Sequence, residues 1–386
     1  MKYVEPFREP ERVRRAAATL AATCTRPWKI MEVCGGQTHA IARYAIDDLL
    51  PDSLKLVHGP GCPVCVTPVE VIAHAQLLSL KPDVTLCTFG DMLRVPGPGG
   101  DLVAVRARGA DVRLVLSPLD AVKIARANPE RQVVFFAVGF ETTAPSSALS
   151  VELARRLELS NYSLLVAHVR VAPAMELLLS APDNEVQGFL AAGHVCTIEG
   201  TSEYPALAAR YRVPIVVTGF EPLDILLGVR EVVRQLEAGQ ADVTNRYERA
   251  VKPDGNPRAR AMVDRVFEVA DVAWRGLGPV KRGGLKLRRE LADFDATRVH
   301  GPIAAPMPEP TACRAAEVLR GRLEPIECQA FGRQCTPETP LGAPMVSTEG
   351  ACAAYFRFRP SAARAGGRPA RAVADRTGLD LAGKAR

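Results

Sequence analysis

Short apolar runs recur along roughly the first 220 residues, and stretches with helical periodicity separate them. Apolar runs rich in β-branched residues are typical of strands that are buried on both faces of a parallel sheet. The runs that fit this pattern are 29–33, 55–58, 84–88, 112–116, 133–138, 163–169 and 215–218. Helices are predicted before and between them, for example at 9–23 and 121–128. This alternation predicts an α/β fold with doubly wound parallel sheets, in which ligands bind where the strands end and the helices begin.

Two of the predicted strands end in the same tripeptide. Residues 137–145 read AVGFETTAP and residues 217–225 read VTGFEPLDI, so each segment leaves an apolar strand as Gly-Phe-Glu and enters a helix. An internal likeness of this kind is the sign of a repeated structural unit. We therefore predict two related doubly wound α/β domains, at residues 1–128 and 129–240.

The pattern changes from about residue 241. Charge density rises, the signals for parallel strands end, and residues 301–352 are rich in Pro and Cys with little periodicity. We predict a separate, loop-rich domain at 241–360. The remaining residues, 361–386, are poor in bulky apolar side chains and lack aromatics, which predicts a disordered tail.

Composition narrows the classes of function. The net charge of +6 is too small for a typical nucleic-acid-binding balance, and no apolar run reaches the length of a membrane span. The N-terminal stretch has no apolar signal-peptide core, so we predict a cytoplasmic protein. Ten cysteines in a reducing compartment indicate metal, cluster or redox chemistry and not a disulfide framework.

The segment HGPGCPVCVTP, residues 58–68, carries two cysteines in a Gly- and Pro-rich loop between a predicted strand and a predicted helix. Backbone N–H groups at a helix N-terminus favour a thiolate, so Cys62 and Cys65 are candidates for a reactive pair. The spacing alone leaves three interpretations open: a redox pair, metal ligation, or a turn without chemistry.

A third cysteine occupies the same kind of position in MEVCGGQTHAI, residues 31–41. Cys34 follows a predicted strand, and the two glycines after it allow a tight turn into a helix, a loop that we expect to expose the thiol to a partner. His39 lies one helical turn away and could donate a hydrogen bond, accept a proton or bind a metal. A buried structural histidine is the alternative interpretation.

Four isolated cysteines lie in the C-terminal region, separated by 14, 6 and 16 residues. They are Cys313, Cys328, Cys335 and Cys352. Zinc sites usually show paired cysteine knuckles, which these gaps lack, whereas a [4Fe–4S] cluster accepts ligands from separate loops. The sequence favours the cluster and leaves zinc or scattered buried thiols open. Glu349, just before the last of these cysteines, adds a carboxylate to this region.

Four segments together resemble the HypD family of hydrogenase maturation proteins: VCGGQTHAI, HGPGCPVCVTP, GFETTAP and MVSTEGACAAYFRF. The likeness runs in order from about residue 1 to 360. It implies two related α/β domains and an iron–sulfur C-terminal domain, and a protein that assembles the Fe(CN)2CO unit of [NiFe]-hydrogenases. Gln37 departs from the family pattern, where histidine is frequent at this position, and the tail beyond Pro360 has no counterpart in it.

The resemblance also implies roles for individual residues. Cys34 would bind the iron under assembly together with a cysteine of a small HypC-type chaperone, and Cys62 and Cys65 would form a thiol/disulfide pair. His39 and Glu349 belong to motifs near that site. The [4Fe–4S] ligands would be Cys313, Cys328, Cys335 and Cys352. Cyanide would come from a HypE-type partner, and an electron donor protein is a further candidate partner.

The chemistry of these residues agrees with a redox-active scaffold for an iron centre, an assembly factor more than a conventional small-molecule enzyme. Fe(II) with CN and CO ligands favours soft thiolates, and a dithiol supplies two electrons that a cluster can feed one at a time. An iron–sulfur-dependent protein disulfide reductase would need the same cluster and cysteine pair, but not Cys34 as a metal ligand. A zinc-stabilised binding protein without redox chemistry is the third interpretation.

Overall fold

The computed structural model describes residues 3–309 and 312–359, so the predicted tail at 361–386 lies outside the described residues. The strands are β1 (Trp28–Glu32), β2 (Leu54–His58), β3 (Val84–Thr88), β4 (Asp111–Leu114), β5 (Gln132–Gly139), β6 (Tyr162–His168), β7 (Gly188–Ala192), β8 (Ile215–Thr218), β9 (Val243–Asn245), β10 (Phe267–Trp274) and β11 (Gly278–Leu287).

The α-helices lie mainly between these strands. They are α1 (Pro10–Thr23), α2 (Gly35–Arg43), α3 (Pro63–Val66), α4 (Val69–Ser79), α5 (Leu102–Ala107), α6 (Pro118–Ala127), α7 (Ala144–Arg156), α8 (Val171–Ser180), α9 (Gly193–Glu199), α10 (Tyr204–Tyr211), α11 (Pro222–Glu237), α12 (Pro257–Val266), α13 (Ala296–Val299), α14 (Ala315–Leu319) and α15 (Ala351–Phe358). None of the described helices is long and apolar enough to cross a membrane.

Two parallel sheets form the framework. The first has five strands in the order β2-β1-β7-β8-β9, and the second has four in the order β4-β3-β5-β6. Helices cover the faces of both sheets. Strands β3, β7 and β8 are buried along their whole length, and β5 at every position after its first, which explains their nearly continuous apolar sequences. The predicted α/β class with parallel sheets is confirmed.

The order of strands in the sheets differs from their order in the chain. After β2 the chain leaves the first sheet, builds the whole of the second sheet, and returns at β7 to pair beside β1. The predicted division between residues 128 and 129 therefore falls between α6 and β5, inside the second sheet, and is not the division that the sheets follow. Apolar runs indicate where strands lie, but strand pairing depends on contacts between distant segments.

The sequence pattern missed strand β7. Its residues include Gly188, Ala191 and Ala192, which have low β propensity, so no β-branched run marks it. Packing requires the small residue at its start, because a Cβ on Gly188 would lie 2.4 Å from Val232 Cγ1 on α11. Strand β7 pairs with β1 and is fully buried.

The C-terminal region also contains regular structure that the sequence did not predict. Strands β10 and β11 form a long antiparallel hairpin, and exposed positions alternate with more buried ones along β10. The hairpin is joined to the second sheet, because Arg170 donates its backbone N–H to the carbonyl of Gly283. Beyond α13, short helices and turns predominate up to α15.

Candidate functional site

Cys34 lies at the carboxyl end of β1, where it is the N-cap residue of α2. Its backbone N–H donates to Glu32 Oε2 at 2.8 Å, and its Sγ lies 3.3 Å from Nδ1 of His194. The side chain has no exposed surface, and this burial raises the pKa of the Cys34 thiol well above its usual value. The expectation of an exposed thiol is therefore wrong for this conformation, because burial outweighs the helix N-terminus.

The loop that follows β2 packs directly on the Cys34 backbone. Gly35 donates its N–H to the carbonyl of Gly61 at 2.7 Å, and a Cβ on Gly61 would lie 2.2 Å from the Cys34 nitrogen. Only a residue without a side chain fits at position 61. The two cysteine-containing loops, which the sequence predicted separately, therefore pack against each other at the carboxyl edge of the first sheet.

Cys62 and Cys65 form a disulfide with their Cα atoms 5.3 Å apart. Cys62 is the N-cap of α3, and its sulfur accepts the Cys65 backbone N–H. Both residues are buried and share a hydrophobic cluster with Ala343 of the C-terminal region. A protein substrate therefore has no direct access to this disulfide in the described conformation.

The two side chains that motif position grouped around Cys34, His39 and Glu349, both lie where the Cys34 loop and α2 meet the C-terminal region. His39 points to the C-terminal region, where its Nδ1 lies 3.1 Å from the carbonyl of Thr348 and its ring meets Phe358 edge-on. Glu349 lies beside the Cys34 loop, since a Cβ on Gly35 would be 2.5 Å from Glu349 Cβ. Neighbouring atoms desolvate the Glu349 carboxyl and, with the charge of Asp91, raise its pKa although part of the residue is exposed.

His194, at the start of α9, is the residue near Cys34 that the sequence analysis did not identify. Burial lowers the pKa of His194 to about 4, so the ring is neutral and its Nδ1 can accept a hydrogen bond from the Cys34 thiol. The sequence GHV directly after β7 repeats the strand-to-helix position of the other site loops. This signal was missed because β7 itself was missed.

Phe220 belongs to the Gly-Phe-Glu segment that follows β8 of the first sheet. Its ring covers the Cys34 loop. A Cβ on Gly36 would lie 3.1 Å from Phe220 Cε1 and 3.7 Å from Cys34 Sγ, so the ring stands close to the thiol. Phe220 packs in turn on the rings of His194 and Tyr247, at centroid distances of 5.6 and 6.0 Å. Access to Cys34 from this direction requires the Phe220 ring to move.

Gln37 is a structural residue of this site. Its side chain is buried, and its Nε2 donates to the carbonyls of Ala191 and Thr218, both at 3.2 Å. These carbonyls lie at the carboxyl ends of β7 and β8. The amide therefore fastens α2 across two neighbouring strands.

The Gly-Phe-Glu segment of the second sheet lies in a different environment. Glu141 follows β5 and accepts the backbone N–H of Val171 at 2.9 Å, while its second carboxyl oxygen has no partner among the described residues. Burial raises the pKa of Glu141 to about 8. In contrast, Glu221 of the first sheet pairs with Arg8. The two related loops thus occupy equivalent strand ends but have different roles.

We predict that Glu141→Gln changes the pH dependence of stability. The folded protein retains the Glu141 proton up to about pH 8, whereas the unfolded chain releases it near the ordinary glutamate value of 4.5. Glu141 therefore lowers the free energy of unfolding as the pH rises between these values. Relative to wild type, the variant should gain roughly 3 kcal/mol between pH 5 and pH 8 in chemical denaturation.

Glu176→Gln provides the matched control, because Glu176 forms a partly exposed ion pair with Arg210. This surface change should leave the slope of stability against pH close to that of wild type. A Glu141→Gln protein with the wild-type slope would show that Glu141 is ionised in the folded state.

The four C-terminal cysteines lie around one cavity, but among the described residues no group of three or more His, Cys, Asp or Glu side chains is arranged to hold a metal ion. Cys313, Cys328, Cys335 and Cys352 all line one cavity of about 20 Å³. Burial, together with the charges of the neighbouring thiols, raises the pKa of three of them, that of Cys313 to about 11. Positive iron would offset this mutual repulsion, so the chemistry of the four donors suits thiolate ligation of a cluster, and the cluster itself stays a prediction.

One turn of the chain joins this four-thiol cavity to the disulfide. Met345 lines the cavity, and Ala343 in the same turn, Ala343–Met345, packs with Cys62 and Cys65. Helix α3, which carries Cys65, contacts this turn directly. The cavity, the disulfide and Cys34 therefore form one continuous series.

Comparison with known proteins identifies the family. A family model described as "Hydrogenase formation hypA family", HypD, matches residues 11–359. The chain belongs to the HypD family. It is 46% identical over 367 residues to the hydrogenase expression/formation protein HupD of Azotobacter chroococcum, covering 93% of this chain and 97% of that protein. It is 44% identical over 367 residues to the hydrogenase maturation factor HypD of Escherichia coli, covering 93% and 98%.

Family membership confirms the resemblance drawn from the four motifs and gives this HypD-family chain a role in hydrogenase maturation. The motifs come from distant parts of the chain, and three of them meet at the carboxyl edge of the first sheet. GFETTAP is the exception, since it follows β5 in the second sheet. The specific roles of the cysteines stay predictions.

Proposed function

We propose that this HypD-family protein is a redox-active scaffold on which the Fe(CN)2CO unit of [NiFe]-hydrogenases is assembled. The observation that carries the proposal is the series from the four-thiol cavity through the turn Ala343–Met345 to the disulfide and on to Cys34. Assembly of such a unit requires a source of electrons, a two-electron store and a soft ligand for iron, and each member of the series meets one of these requirements.

Cys34 would bind the iron cargo as a thiolate. The thiol is neutral while it is buried, so binding requires that its proton be taken up and that the covering side chains move. His194 Nδ1 lies 3.3 Å from the sulfur and can accept a hydrogen bond from the thiol, but with a pKa of about 4 it does not keep the proton, which would pass to solvent once the covering side chains have moved. A HypC-type chaperone would supply the second thiolate, and its docking would displace the Phe220 ring.

The Cys62–Cys65 pair would store electrons for ligand delivery. Reduction breaks the sulfur–sulfur bond, takes up two electrons and two protons, and leaves two thiols. The four-thiol cavity would hold a [4Fe–4S] cluster, which supplies electrons one at a time when it is bound. Cyanide would arrive from a HypE-type partner, electrons from a donor protein, and all steps would take place in the reducing cytoplasm.

A protein disulfide reductase is the alternative function that uses the same cysteines. Such an enzyme must present its cysteine pair to another protein, because the reaction passes through a mixed disulfide. Cys62 and Cys65 are only 3% and 1% exposed. Their burial favours a pair that exchanges electrons within the molecule and therefore favours the scaffold.

Infrared spectroscopy of the full chain purified anaerobically with its partner proteins tests the proposal. Iron-bound CN and CO absorb in a region free of protein bands, so we expect both sets of bands together with acid-labile sulfide. A protein that carries sulfide but never the infrared bands, and that reduces disulfides of other proteins, would support the reductase. Stoichiometric zinc without sulfide would exclude both.

We also predict that Cys62 and Cys65 change state together in a redox titration. Thiol trapping followed by mass spectrometry should show the pair gaining or losing two labels at one potential, with a two-electron slope. With trapping in denaturant, Cys87 and Cys196, which are free single thiols, should carry one label each at every potential, which provides the internal control. A pair that is reduced at all accessible potentials would remove the electron store from the proposal.

A further inference from the structure

Glu32 is a fully buried carboxylate beneath the Cys34 loop. Its two oxygens accept three hydrogen bonds, from the backbone N–H of Cys34, the hydroxyl of Thr38 and Nδ1 of His58. Three donors offset much of the cost of burying the charge. The carboxylate therefore holds the first turn of α2 and the loop that precedes it in one position.

His58 extends this network to the C-terminal region. Its Nδ1 lies 2.7 Å from Glu32, and its Nε2 lies 2.9 Å from the hydroxyl of Tyr355. A carboxylate can only accept, so Nδ1 of His58 donates to Glu32, and Nε2 on the other side of the ring is hydrogen-bonded to the tyrosine hydroxyl. Glu32, His58 and Tyr355 come from β1, β2 and α15, and all three are buried.

Tyr355 links the network to the cluster-bearing segment. It lies on α15, one helical turn after Cys352, which lines the four-thiol cavity. A displacement of α15 on filling or emptying of that cavity is therefore transmitted by three hydrogen bonds to the backbone of Cys34. Residues behind a metal ligand commonly fix its orientation in this way.

We propose that Tyr355, acting through His58 and Glu32, is a positioning residue that keeps the Cys34 loop in its closed arrangement relative to the segment that carries Cys352. The proposal rests on the proposed function for the identity of the metal that Cys34 binds. The network itself is a property of the chain without iron, so it is testable separately.

Tyr355→Phe removes the hydroxyl and keeps the ring, which meets His58 edge-on at a centroid distance of 5.2 Å. We expect Cys34 in the full-length protein to react roughly five to ten times faster with a thiol-alkylating reagent, because one buried hydrogen bond that holds the closed loop is lost. Mass spectrometry measures the rate for each cysteine separately. Cys87 and Cys196 should keep their wild-type rates.

His58→Asn tests whether Tyr355 acts through the imidazole. Asparagine can place an N–H near the position of Nδ1, toward Glu32, but does not reach Tyr355. It should therefore reproduce the effect of Tyr355→Phe, and the double variant should show no further increase, as expected for residues in one network. In wild type, ¹⁵N chemical shifts of labelled histidine should show His58 with its proton on Nδ1.

Tyr162→Phe is the matched control, since Tyr162 on β6 is equally buried and its hydroxyl contacts Ser150 on α7, away from the Cys34 loop. It should leave the Cys34 rate unchanged. The proposal is overturned if Tyr355→Phe does not change the Cys34 rate, if Cys87 and Cys196 accelerate equally, or if the two substitutions add independently. If the His58→Asn variant does not fold, the alkylation rates of Tyr355→Phe and the ¹⁵N shifts of His58 in wild type decide whether the proposal holds.

With partner proteins present, Tyr355→Phe should lower the occupancy of the infrared-active iron several-fold while sulfide content stays at the wild-type level. Absence of that iron in wild type would contradict the proposed function but leave the alkylation result standing. If Tyr355→Phe carries the infrared-active iron at wild-type occupancy although its Cys34 is alkylated faster, Tyr355 does not position Cys34 for iron.

Discussion

Replacing Cys34 with serine should abolish the infrared-active iron while leaving the acid-labile sulfide and the Cys62–Cys65 couple unchanged. A serine hydroxyl stays protonated at neutral pH and is a hard, weak donor, so the anionic soft ligand is lost completely. The four-thiol cavity and the disulfide contain no atom of Cys34. Infrared spectra, sulfide analysis and a thiol titration of the same preparation measure the three outcomes.

Cys24→Ser is the control for this substitution. Cys24 is half-buried outside the site, and its sulfur lies 3.3 Å from the hydroxyl of Ser53, so serine is accommodated there. This variant should carry CN and CO bands of wild-type intensity. If Cys34→Ser also keeps them at full intensity, Cys34 is not the ligand of the iron cargo, and another residue must hold it.

Gly61→Ala should disrupt the site by separating its two loops. The added methyl group would lie 2.2 Å from the nitrogen and 2.5 Å from Cα of Cys34, so backbone and not a flexible side chain would have to move. We expect a loss of about 3 kcal/mol or more in the free energy of unfolding. Urea unfolding measures the stability, and alkylation of Cys34 measures how far the loop opens.

Gly90→Ala is the matched glycine substitution. A Cβ at position 90 would meet only Leu114 Cδ1, at 3.3 Å, and that leucine is largely exposed and can adjust its side chain. Its stability should change by less than about 1 kcal/mol. Equal stability of both variants would mean that the loop after β2 has room to shift away from Cys34.

The sequence predicted the strands that have β-branched apolar runs, including β3 and β8 with their observed bounds. It could not show that β7 exists, because Gly188 and two alanines carry no strand signal, and the order of strands in the sheet depends on that strand. The same omission concealed His194. Local patterns were therefore enough to predict the fold class. They could not predict which strands pair, because strand pairing depends on contacts between residues far apart in the sequence.

The candidate site was likewise predictable only in part from the sequence. The motifs around Cys34, Cys62 and Cys65 were recognisable because each places cysteine in a Gly-containing turn between a predicted strand and a predicted helix. The orientation of His39 and the burial of Cys34 were not predictable, since both depend on Thr348, Phe358 and Phe220, which lie far away in the chain. Helix-terminus arguments also ignore desolvation, which dominates the pKa of Cys34.

The interleaved order of strands has a consequence for the newly synthesised chain. Strand β1 lies between β2 and β7. On the ribosome, the Cys34 loop therefore lacks its neighbouring strand β7 until residues 188–192 have emerged. The hydroxyl of Tyr355 reaches His58 only near the end of translation. Because domains generally form as the chain leaves the ribosome, a half-made chain lacks the complete Cys34 site. We expect nascent chains shorter than about 350 residues to bind neither metal nor partner at this site.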